Sequence, residues 1–104
     1  MPTEVYDKLV RDRIPDVIKK TGRVPVTEIL SDEAYLVRLK EKLIEEAEEF
    51  LKDGSVEELA DIAEVLCAIC EQMDVTDDRL LAERQKKGKE RGIFKEKILL
   101  KEVR

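Results

Sequence analysis

The sequence predicts an all-α protein, a helical bundle built on an antiparallel helix hairpin, with a small β-strand pair appended. Three observations carry this. Aromatic residues make up 4% of the 104 residues and Trp is absent, so the core must come from Leu, Ile, Val and Ala. Two long stretches repeat apolar residues at helical spacing. Between them stands Asp53-Gly54-Ser55, a turn too short for anything but a hairpin.

The elements follow in order. Residues 1–9 read as extended or irregular. Pro15 suits the first turn of a short helix to about Lys20, with Gly22 just beyond its end. VPVTEIL (24–30) is β-branched and alternating, the pattern of a short strand. Ser31 or Asp32 caps a long helix to about Lys52, whose expected buried stripe is Leu36, Leu39, Leu43, Ala47 and Phe50. Gly54 supplies a left-handed stop. Ser55 opens the next helix, with Glu58 completing a capping-box pattern. That helix reaches about Met73, with Leu59, Ile62, Ala63, Leu66, Ile69, Cys70 and Met73 as its main face. A last helix spans about Thr76 to Gly88, and the tail GIFKEKILLKEV is a strand pairing with VPVTEIL or a frayed helix.

The totals bound the function. A chain of 104 residues forms a single domain, 1–104. The net charge of −5 argues against a duplex nucleic-acid binder, which needs a positive footprint. The opening MPTEVYDKLVRDR has no apolar h-region, and no segment is apolar enough to span a bilayer. The expectation is a cytoplasmic protein with no membrane partner.

Residues 45–61, EEAEEFLKDGSVEELAD, hold eight carboxylates in seventeen positions. In a hairpin centred between Asp53 and Gly54, Glu49 stands level with Glu58 and Glu46 with Asp61. Each same-helix pair is three apart and shares a face. Helix axes about 8–10 Å apart let four such acids close around a cation. Asp61 lies in an apolar run, where an ionised acid is costly unless paired or metal-bound. The plain alternative is surface charge, with Glu58 a capping partner. Acids at the C-terminal end of the first long helix fit that poorly, because that end prefers cations. Oxygen donors in a chain without His point to Mg²⁺, or Mn²⁺, held by Glu46, Glu49, Glu58 and Asp61.

KLIEEAEEF followed by SVEELADIAEV resembles the EExxE and ExxD motifs of the MazG-like all-α nucleoside triphosphate pyrophosphohydrolases. YDKLVRDRIPDVIKK and ERGIFKEKI are similar to flanking blocks of the small phosphoribosyl-ATP pyrophosphohydrolase-like branch. The resemblance implies Mg²⁺-dependent cleavage between the α- and β-phosphates, giving a nucleoside monophosphate and pyrophosphate. It makes Glu46, Glu49, Glu58 and Asp61 metal ligands, and Glu45 the residue that orients or deprotonates the attacking water. The chain departs from the branch in lacking a Ser-Tyr-Thr segment, in Leu43-Ile44 ahead of Glu45, and in Arg91-Gly92-Ile93-Phe94 where relatives tend to show Arg-Gly-Gly-Phe. The first two departures turn the expectation away from phosphoribosyl-ATP and toward nucleotide-pool house-cleaning, and the third bears on the local geometry of the tail.

A triphosphate also needs cations. Arg11 and Arg13 are the first candidates for phosphate contacts, with Lys87 and Arg91 following from the cluster around Gly88 and Gly92. A solvated face balancing the acids is the competing reading for both clusters. Cys67-x-x-Cys70 lies turns into a helix, without a second pair or His, and reads as two small buried thiols rather than a redox or zinc motif.

Two further functions compete with the pyrophosphohydrolase: phosphoribosyl-ATP hydrolysis in histidine biosynthesis, and a non-catalytic helical module that binds a nucleotide or partner. The second long helix is apolar on most sides, which points to association of two hairpins into a four-helix core, a homodimer or a tetramer.

Overall fold

The computed structural model describes residues 2–104. It contains four helices: α1 (Ile14–Lys20), α2 (Asp32–Asp53), α3 (Val56–Gln72) and α4 (Asp77–Arg91). The chain divides into two compact units, Met1–Met73 and Asp74–Arg104.

In the first unit, α2 and α3 form the antiparallel hairpin. The local chemistry explains its ends. Ser31 Oγ accepts from the Ala34 N–H at 3.2 Å and starts α2. Gly54 stops it in the left-handed region (φ 62°), its N–H donating to the Phe50 carbonyl at 2.7 Å. Ser55 Oγ then accepts from the Glu58 N–H at 3.3 Å and starts α3 one residue later. At the far end Gln72 Nε2 donates to the Asp32 carbonyl at 3.5 Å, joining the last turn of α3 to the first of α2. Leu39 (4% exposed) and Val65 (8%) are the buried apolar residues, packed inside a shell of half-buried Leu36, Leu43, Phe50, Ile62 and Ile69. Ala47, expected in this stripe, is exposed.

The N-terminal segment is tied to the hairpin by charge. Asp7 adopts a positive φ of 46°, which brings both its carbonyl and its carboxylate to Arg38, at 3.3 and 3.2 Å. Lys8 pairs with Glu45 at 3.1 Å and Arg11 with Asp61 at 2.8 Å. Leu9 and Ile14 are half-buried beside these charges, whereas Val10 is exposed.

Two expectations are corrected. The β-strand pair is absent: no strand occurs among the described residues, and both 24–30 and 92–104 run without regular structure. Val26 (95% exposed) and Ile29 (98%) show why, since β-branched alternation supplies propensity but a strand needs a partner ladder, and Pro25 removes a donor. The last helix also continues past Gly88 to Arg91. Thr76 caps its start, accepting from the Arg79 N–H at 3.2 Å, and Lys89 and Arg91 suit its C-terminal end. Gly88 is tolerated inside, and Gly92 (φ 80°) is the stop.

Candidate metal centre

Six turns of α2 and nearly five of α3 bring the acids of 45–61 together beside the turn. One oxygen each from Glu46, Glu58 and Asp61 lies within 4.8 Å of the others, and all three residues are half-buried. A second group, Glu49, Asp53 and Glu58, meets the same distance limit. Oxygens around Mg²⁺, at about 2.1 Å from the ion, stand on the order of 3–4 Å apart, so either group has a suitable span. The four expected acids are thus divided between two triads that share Glu58, with Asp53 as a fifth member. Asp53 is the acid that sequence reasoning missed. It stands at the turn, and its signal is its spacing: four residues after Glu49, on the same face of α2.

Glu58 is the hinge of the arrangement. Its backbone N–H completes the Ser55 cap, but its carboxylate does not return to the Ser55 N–H as a full capping box would. Oε2 is buried without a hydrogen-bond partner. Burial pushes this carboxyl above its ordinary value of 4.5, and the negative charges of Asp61, Glu46 and Asp53 push it in the same direction. Acceptor oxygens crowded together, one of them unsatisfied, are the donor chemistry of a hard divalent cation.

The cations near the acids are placed unequally. Arg11 Nη2 reaches Asp61 Oδ1, and this hydrogen bond strengthens the guanidinium's hold on its proton; Glu64 and Glu46 act on it through their charges. Lys42 lies 3.4 Å from Glu46 and 3.8 Å from Glu45. Glu45 is in neither triad: Lys8 and Lys42 hold it on the side of α2 that meets the N-terminal segment. Arg13 is the N-cap residue of α1, exposed, with no side-chain capping bond. Lys87 and Arg91 are exposed on α4, in the second unit.

The cysteine expectation is corrected in part. Cys70 is half-buried, but Cys67 is exposed, with Sγ 3.9 Å from Glu71 Oε1. Its position opposite Ile62 and Val65 on α3 turns it away from the hairpin interior.

No family model matches the chain, and no solved structure matches it. Over 42 residues, 40% of its length, the chain is 52% identical to an uncharacterized protein of Mycolicibacterium smegmatis. That match spans 43% of the mycobacterial protein, less than half its length.

Proposed function

We propose that the chain is a Mg²⁺-dependent nucleoside triphosphate pyrophosphohydrolase that clears nucleotides from the cytoplasmic pool. The observation that carries this reading is the Glu58 carboxylate, shared by two acid triads and buried with one oxygen unsatisfied. Glu46, Glu58 and Asp61 would hold the cation, with Glu49 and Asp53 offering a second position around the same Glu58. Bound there, Mg²⁺ (or Mn²⁺) supplies positive charge that neutralises phosphate oxygens and offsets the repulsion among the acids.

The protein's own groups have separate tasks. Arg11, already at the acid cluster, would exchange its Asp61 partner for a phosphate oxygen of the substrate. Arg13 is a further phosphate-binding candidate from the same unit. Glu45 takes the water: its carboxylate accepts the proton as the water oxygen bonds to phosphorus and the α–β anhydride bond breaks. The products are a nucleoside monophosphate and pyrophosphate. Lys8 and Lys42 both approach Glu45 Oε1 and position that carboxylate. The resemblance of the acid motifs to the MazG-like enzymes supports the same assignment.

The test is incubation of the purified protein with Mg²⁺ and a panel of nucleoside triphosphates plus phosphoribosyl-ATP, with pyrophosphate and orthophosphate measured separately. Pyrophosphate release that disappears in Asp61→Asn is the expected result. Orthophosphate alone, or no turnover by folded protein, would sink the proposal.

A further inference from the structure

The N-terminal segment meets the acid centre through two cations, Lys8 on Glu45 and Arg11 on Asp61. Residues 2–11 have no regular structure, so no ladder of backbone bonds fixes where those cations fall. In extended chain a slip of one residue moves a side chain by about 3.3 Å, which would carry Arg11 out of hydrogen-bond reach of Asp61. Something must therefore set the register. Helix α1 does not, because it packs little against the hairpin. Arg23 donates to Glu4 at 3.2 Å and to the Pro2 carbonyl at 3.0 Å, which closes the segment on itself rather than on α2. Leu9 and Ile14, half-buried, add apolar contact that is not directional. Under the proposed function Arg11 must release Asp61 to take a phosphate, so it cannot be its own anchor. What remains is Arg38.

We infer that Arg38 is a positioning residue: its fork on Asp7 sets the register that places Arg11 for a phosphate of the substrate. The inference rests on the phosphate role proposed for Arg11. Three features single out this pair. Arg38 Nη1 donates to the Asp7 carbonyl at 3.3 Å and Nη2 to Asp7 Oδ2 at 3.2 Å, so one planar guanidinium fixes backbone and side chain of the same residue. Asp7 stands at φ 46°, a left-handed conformation that Asp and Asn tolerate better than other residues with a Cβ. Arg38 also precedes Glu45 by seven residues, about 10 Å along α2, with Lys42 between them on the same face. Clamp and site are thus joined by one helix. Neither Arg38 nor Asp7 belongs to an acid triad, so the clamp can hold while Arg11 changes partner. The Asp7 side chain is 79% exposed, so the pair adds little to stability and its effect falls on placement.

A double-mutant cycle tests it, in steady-state kinetics with Mg²⁺ and the nucleoside triphosphate that the wild type cleaves fastest. Arg38→Ala should raise KM about three- to tenfold at a Tm close to the wild type's. Its kcat should change by less than about threefold, because Lys42 still holds Glu45. In an Arg11→Ala background the same change should add less than about twofold to KM, because Arg38 acts through Arg11. Asp7→Val, whose β-branched side chain resists φ 46°, should reproduce Arg38→Ala, whereas Asp7→Asn should stay near the wild type. An unchanged KM, or KM effects of Arg38→Ala and Arg11→Ala that multiply in the double variant, would overturn the inference. A second readout needs no turnover. The chain has no Trp, so Val10→Trp puts a single indole at an exposed position of the segment. Its fluorescence anisotropy should fall when Arg38→Ala is added. No fall overturns the clamp, even in an active enzyme. A fall in a protein that releases no pyrophosphate sinks the proposed function but upholds Arg38 as the residue that places Arg11.

Discussion

The two sides of the hairpin differ sharply in chemistry. Along one side run Arg38, Lys42 and Glu45 of α2 and Glu57, Glu64 and Glu71 of α3, met by Lys8 and Arg11 from the N-terminal segment. Along the other run Val37, Ile44, Leu51, Leu59, Leu66 and Met73, exposed. The acid triads lie between the helices beside the turn. On the charged side, exposed pairs can exchange partners at little cost, because water screens them. The apolar side has no such exchange open to it: leaving it in water costs free energy in proportion to its area, so it demands permanent cover. The difference is between a side whose charges can re-pair and one whose apolar groups cannot.

The largest effect that would sharpen this contrast is on activity. Asp61→Asn and Glu58→Gln should each lower pyrophosphate release on the order of 10²-fold or more, with helical circular dichroism unchanged. Retained turnover in either would rule out the metal reading of the acid triads. Next comes the interior that both sides share. Leu39→Ala should cost about 2–5 kcal/mol, since it empties the most buried position. With so small an interior, that loss should appear as unfolding at ambient temperature, read by circular dichroism.

The third prediction uses pH. Glu58 has its carboxyl raised above 4.5 in the folded chain, so the folded state binds that proton more tightly than the unfolded state. The stability it contributes is fully present below the unfolded value and is lost as pH rises through the raised folded value. Glu58→Gln, which cannot ionise, should therefore melt above the wild type at pH 7 in chelator, and the gap should close as pH falls below 4.5. Millimolar Mg²⁺ should raise the wild type but not the variant. A gap that ignores pH would mean that the crowding of acids around Glu58 is not felt by its carboxyl.

Smaller still, Ser55→Ala should cost about 1 kcal/mol by removing the cap that starts α3. The smallest effect on stability is expected for Arg11→Ala, whose ion pair is half exposed to water. If Arg11 binds phosphate, the same change should raise KM well before it lowers Tm. A Tm that falls while KM holds would reassign Arg11 from ligand binding to holding the N-terminal segment in place.

The helices were legible because their signals are local. Ser31, Ser55 and Thr76 cap where their side chains reach the third N–H on, and Gly54 and Gly92 stop helices because only a residue without Cβ takes their backbone freely. The hairpin followed from the shortness of the turn, and with it the meeting of Glu46 with Asp61 and Glu49 with Glu58. What needed the tertiary structure was anything decided by a partner. VPVTEIL carries strand propensity, yet a strand exists only where another backbone supplies its hydrogen bonds. Glu45 turns away from the acids to Lys8, because charges also settle among neighbours far apart in sequence. Helical spacing alone marked α3 as apolar nearly all round. Only packing against α2 divided it into an inward stripe and an exposed seam, since a helix wheel gives directions but not which of them a neighbour fills.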